Sequence, residues 1–195
     1  MPGLLSQAYQ KSRETYNQPR LTSYAGYPVI SAQSIPGLTD YFKGEGNIVA
    51  GMAWGGKYND PGQGGGSSPA SVVVNPYKFK NDPQGYNALV RLESARHWMD
   101  ENQYNPEFKI TPEMQKWREN TFTGIEAGKY YLNDDKLFKQ TLISRIIAGD
   151  QDIPNISKEV EKEARSVQQS LEKQDKASKP TITQSIMSAM GMKNK

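Results

Sequence analysis

DDKLFKQTLISRIIAG, residues 134 to 149, is the most hydrophobic stretch of the chain, and its reading decides the fold. Leu137, Phe138, Leu142, Ile143, Ile146 and Ile147 recur at helical spacing. Asp134 or Asp135 supplies an N-cap, and Gly149 supplies a left-handed C-cap. A helix bounded in this way, with so many branched apolar residues, is expected to form the centre of the core.

Upstream, the same punctuation recurs. Thr111-Pro112-Glu113 opens a helix in which Met114, Trp117 and Phe122 share a face. Asp82-Pro83 opens an earlier one whose apolar face is expected to hold Ala88, Leu89, Leu92, Ala95, Trp98 and Met99. Downstream, a polar helix is expected from Ser157 to about Ala177. Val160, Ala164, Val167 and Leu171 form its narrow stripe, flanked by Glu161–Arg165 and Glu172–Lys176 pairs. So thin a stripe can pack against one neighbour but leaves the helix at an edge. After Lys179-Pro180, the segment TITQSIMSAMGMKNK places Ile182, Ile186 and Met190 on one side.

Residues 1–82 read differently. After a short helical pattern at Leu4–Tyr16, Pro19, Pro28 and Pro36 interrupt the chain, which favours extended backbone. NDPGQGGGSSP, residues 59–69, has the composition of a loop. Ser71–Val74 reads as one short strand, ended by Asn75-Pro76. The expected organisation is thus mainly α with an extended, irregular N-terminal half. It divides into a Gly/Pro/Tyr-rich arm at 1–82, a helical core at 83–149, and an amphipathic helix with a C-terminal tail at 150–195.

The totals agree with a small core. Hydrophobic residues are 35% of the 195, and the 17 glycines add no side chains to bury. The net charge of +3 falls far short of a dense basic stripe for nucleic acid. Cysteine is absent, which excludes disulfides and thiolate chemistry and leaves the redox compartment open. No apolar window reaches membrane-spanning length, and the N-terminus lacks a signal-peptide pattern. Synthesis in the cytoplasm is expected, with later incorporation into a particle.

Three motifs suggest chemistry. GMAWGGKY (51–58) nearly matches the phosphate loop G-x-x-x-x-G-K-S/T, but Tyr58 stands where a metal-binding hydroxyl is needed and a turn, Asn59-Asp60-Pro61-Gly62, follows in place of a helix. The expectation is a glycine-rich loop carrying Trp54 and Tyr58. DQDIPNISKEVE (150–161) places Asp150, Asp152 and Glu161 like calcium ligands. Pro154 and Asn155 replace the fifth ligand and the sixth-position glycine, so an inter-helix turn is expected. LVRLESARHW (89–98) contains a Glu-Ser pair on an amphipathic helix that resembles the catalytic-glutamate motif of lytic transglycosylases. That resemblance implies Glu93 as general acid on a glycosidic bond. The other expectation is a solvated Glu93 beside Arg96 and a partly exposed His97.

The aromatic residues carry the functional expectation. Tyr24, Tyr27, Tyr41, Trp54 and Tyr58 lie among Pro, Gly, Ser and Asn, a composition that protein contact surfaces favour. With the stripe residues Val160, Val167 and Leu171 they are the expected contacts to neighbouring protein subunits. The mix of Gly, Gln, Asn and Tyr without Cys is similar to minor virion proteins of tailed bacteriophages, which implies a structural role, no catalysis and no cofactor. The alternatives are a peptidoglycan-cleaving enzyme using Glu93, and a weak nucleic-acid binder whose affinity would drop with salt.

Overall fold

A computed structural model describes residues 19–34, 51–54, 70–75, 78–79, 82–124, 128–150 and 152–179. The described chain is mainly helical, with a small sheet on one side. Its strands are β1 (Ser23–Tyr24), β2 (Tyr27–Ser31), β3 (Gly51–Trp54) and β4 (Ser71–Val74), in the order β1-β2-β4-β3. The helices are α1 (Pro83–Glu101), α2 (Pro112–Phe122), α3 (Gly128–Asn133), α4 (Asp135–Ala148) and α5 (Lys158–Ser178).

Each longer helix starts where its cap residue stands. The side chains of Asp82, Thr111, Asp134 and Ser157 accept hydrogen bonds from the backbone N–H of Gly85, Met114, Leu137 and Val160. Gly149 ends α4 at φ 83°, a conformation glycine reaches without a β-carbon clash. Helix α3 has no cap signal and escapes sequence reading. It begins at Gly128, where a β-carbon would sit 1.9 Å from the Phe122 carbonyl oxygen, so only glycine lets the chain turn back this closely on α2.

Strand β4 pairs in parallel with β2 and antiparallel with β3. Its four residues are all buried, which explains why SVVV is a continuous apolar run and not an alternating one. Helix α1 packs on this sheet and also against α4 and α5. Because α1 is enclosed from several sides, its buried residues do not form one stripe. They are Asn87, Val90, Glu93, Ser94, Ala95, His97 and Met99, so the expected face is fully buried only at Ala95 and Met99. Leu89 and Trp98 are partly buried against the core.

Helix α4 is the core helix, as its sequence indicates: Phe138, Leu142 and Ile143 are completely buried. The small buried residues Ser94 and Ala95 on α1, and Thr141 and Ser144 on α4, suit a close approach of the two helices. Arg118, buried on α2, ties the other end together. Its Nε donates to the Tyr131 carbonyl at 2.6 Å, its Nη1 donates to Asp135 at 2.7 Å, and its guanidinium lies 4.7 Å from the Phe138 ring centre.

Two of the expectations need correction. The first concerns the described segments within 1–82, which are not an arm apart from the body: Ala25, Tyr27, Val72, Val74 and Phe79 share one core with the helices. Their segments are too short to announce a core singly, but they add up against α1. The second concerns α5. Val160, Val167 and Leu171 are fully buried, so the stripe faces this chain's own core and not open solvent. The far end of α5 grips the β1–β2 turn, where Ala25 and Gly26 have φ of 53° and 81°. The Ala25 N–H donates to Asp175 Oδ1 at 3.0 Å, and Gln174 Nε2 donates to the Ala25 carbonyl at 2.6 Å.

Candidate functional site

Helix α1 holds several of the buried polar side chains among the described residues, Asn87, Glu93, Ser94 and His97. Glu93 is only 4% exposed. Arg96 Nη1 lies 3.2 Å from Glu93 Oε1, while Nη2 reaches the Tyr131 hydroxyl at 3.3 Å and Thr141 Oγ1 at 3.4 Å. A single arginine therefore links an interior carboxylate of α1 to hydroxyl groups of α3 and α4. The expectation of a solvated Glu93 is corrected here: helix α4 and Tyr131 close over a face that the sequence alone leaves open.

His97 is corrected similarly, from partly exposed to completely buried. Its Nε2 lies 2.8 Å from the Ser71 carbonyl oxygen, so Nε2–H donates to β4. Tyr27 stacks on the imidazole with ring centres 5.1 Å apart, and its hydroxyl donates to Glu101 Oε2 at 2.6 Å. The group bridges the sheet and α1. A burial of this kind has no periodic signature, because its partners come from two other segments, β2 and β4.

The remaining expected contact residues divide by location. Tyr27 is 4% exposed and fills the seam just described. Tyr24 is half-buried. Trp54 lies in β3, paired with Ser71, while Tyr41 and Tyr58 lie outside the described residues. The first half of the phosphate-loop look-alike, Gly51–Trp54, is a strand and not the expected loop. In the calcium-like stretch, Asp150 is ion-paired to Arg145 at 3.1 Å, and its Oδ1 accepts from the Asp152 N–H. Ser157 caps α5, so this stretch is the inter-helix connection its sequence suggests. No group of three or more potential metal-ligating side chains lies together among the described residues.

A recess of about 410 Å³ opens between the first turns of α1 and the last turn of α4. Phe79, Ala88 and Leu92 supply apolar lining, with Asp82, Arg91 and Asp150 as its charged groups. Asp82 is occupied as the α1 cap and Asp150 by Arg145. Glu93 does not line this recess.

Tyr24 has an altered ionisation. Burial pushes its hydroxyl up to about 12; Arg91 opposes the rise, and Glu172 and Asp175 add to it. A tyrosine whose folded value lies above its unfolded one keeps its proton in the native state. Its contribution is complete below pH 10 and is lost as pH rises from 10 through 12. Stability should therefore fall by up to about 1.4 kcal/mol per pH unit across that window from this group alone. Urea unfolding of Tyr24→Phe at a series of alkaline pH values should show a shallower decline than the parent; equal slopes would mean that Tyr24 is hydrated.

No protein-family model, curated protein or solved structure matches this chain. Among the described residues, no helix is long and apolar enough to cross a membrane.

Proposed function

We propose that this chain is a structural component of a larger protein assembly, a particle such as the virion of a tailed bacteriophage. The observation that carries this reading is where the aromatic, Gly- and Pro-rich sequence is inserted. Residues 35–50 and 55–69 connect β2 to β3 and β3 to β4. Since β3 runs antiparallel to β4, and β2 parallel to it, the two insertions leave from opposite ends of one small sheet. Tyr41 and Tyr58 fall in these insertions, and Trp54 falls at the edge of the second. Tyrosine among Gly, Ser and Asn provides large contact area at low side-chain entropy cost, which suits subunit contacts. The likeness of composition to minor virion proteins supports the choice of particle.

The test is sedimentation velocity over a concentration series, comparing the parent with Tyr41→Ser/Tyr58→Ser. The parent should associate with rising concentration, while the variant stays monomeric with an unchanged melting curve. A parent that remains monomeric throughout, or a variant that associates equally, would overturn the reading.

A further inference from the structure

We propose that the recess between α1 and α4 is a binding site for a small organic monocarboxylate with an apolar body. The site is independent of the assembly reading above.

The recess exists because of where α4 stops. The Gln140 side chain, near the start of α4, donates to the Tyr104 carbonyl, just beyond the end of α1, at 2.7 Å. Ala148, at the end of α4, lines the recess together with Gln84 and Ala88 from the first turns of α1. The two helices are therefore antiparallel, and α4 covers α1 from its C-terminal end backwards. Gly149 then turns the chain at φ 83°, and the first turns of α1 extend past the end of this cover. At that point α1 presents Ala88, whose side chain is too small to fill the gap. The space that remains is about 410 Å³, inside the range of about 300–1,000 Å³ usual for small-molecule sites.

The hydrogen-bonding groups around the recess decide what it accepts. Asn87 is committed at both ends: its Oδ1 accepts from the Leu21 N–H at 2.9 Å, and its Nδ2 donates to the Pro19 carbonyl at 3.3 Å. Asp82 Oδ1 accepts from the Gly85 N–H as the cap of α1. Asp150 gives one oxygen to Arg145 and the other to the Asp152 N–H. Arg91 differs, because no hydrogen bond or ion pair joins it to the described residues. Its charge acts on the Tyr24 hydroxyl, as do those of Glu172 and Asp175. Those two carboxylates have other partners: Gln168 donates to Glu172, and Lys179 and the Ala25 N–H hold Asp175. A guanidinium has five N–H donors and no acceptor, so the recess offers unused donors and calls for an anionic acceptor.

The two aspartates limit the charge of the occupant. Asp82 stands nine residues before Arg91, about 13–14 Å along the helix axis, too far to neutralise it. A dianion such as phosphate would hold its second charge against Asp82 and Asp150 with no further cation to meet it. A carboxylate carries one charge and matches the arginine fork with two parallel bonds. Phe79, Leu92 and Ala148 then supply apolar surface for a hydrocarbon body.

The test uses octanoate as probe and octanol as its uncharged counterpart, read by amide chemical shifts of the full chain. Octanoate should shift the resonances of Ala88, Leu92 and Ala148 and saturate in the millimolar range or below. Octanol should bind about tenfold more weakly, as expected for loss of a charge-assisted hydrogen bond. That comparison needs no variant. Arg91→Gln should weaken octanoate by a similar factor and leave octanol unchanged, since the apolar wall remains. Arg91 is partly exposed, so this variant should melt near the parent. Ala88→Leu fills the recess with a good helix former and should remove the binding of both probes. The inference is overturned if octanoate shifts no recess resonance, if octanol binds as well as octanoate, or if either variant binds octanoate like the parent. Inorganic phosphate that displaces octanoate at equal concentration would overturn the assignment to a monocarboxylate.

Discussion

Replacing Arg96 by alanine should destabilise the fold by about 3–5 kcal/mol, the cost of stranding a buried charge. The arginine is the ion-pair partner of Glu93 among the described residues; Glu93 is 4% exposed, and Arg96 also reaches the Tyr131 and Thr141 hydroxyls. Truncation removes the cation and leaves the carboxylate without a counter-ion between α1 and α4. Removing both charges is a different matter. Glu93→Gln with Arg96→Met exchanges an expensively desolvated pair for neutral groups of similar volume, and such replacements are often close to neutral. The double variant should thus recover most of the loss, as measured by urea unfolding of the three proteins. This experiment also bears on function. If Arg96→Ala costs less than about 1 kcal/mol, water reaches Glu93, and a carboxylate available to a substrate must be reconsidered.

The triple variant Val160→Ser, Val167→Ser and Leu171→Ser should undock α5 or unfold the chain. All three residues are completely buried. Burying one such side chain contributes about 1.5–3 kcal/mol, so the three together approach about 5–9 kcal/mol before any cavity cost. Domains commonly have only about 5–15 kcal/mol of net stability. Hydrogen exchange separates the two outcomes. If α5 alone detaches, the amides of 158–178 lose protection while those of α1 and α4 keep theirs. If the stripe is merely a surface for other subunits, the purified variant will melt like the parent and fail only in assembly. Parental stability would restore the direct reading of Val160, Val167 and Leu171 as free partner contacts.

The local features of this fold follow from the sequence by itself. The caps at Asp82, Thr111, Asp134 and Ser157 act on N–H groups three residues away, and Gly149 acts on the turn it ends. The apolar spacing of α4 and the run Ser71–Val74 likewise carry their own meaning. What lies within one helical turn, or one strand, can be recognised without knowing the rest of the molecule. Helix α3 is absent from such a reading because the sequence just before Gly128 offers no Ser, Thr, Asp or Asn to signal its start, and the helix has only six residues. The candidate site depends even more on distant partners. His97 is buried because Ser71, 26 residues earlier, offers it a carbonyl and Tyr27 covers its ring. Glu93 is interior because Tyr131 and Thr141 come to meet Arg96. The narrow stripe of α5 implied a single packing neighbour, but the helix packs against both α4 and α1 of its own chain and is bonded at its far end to Ala25, 150 residues earlier. A helix face records how much apolar surface must be covered; only the path of the whole chain determines what covers it.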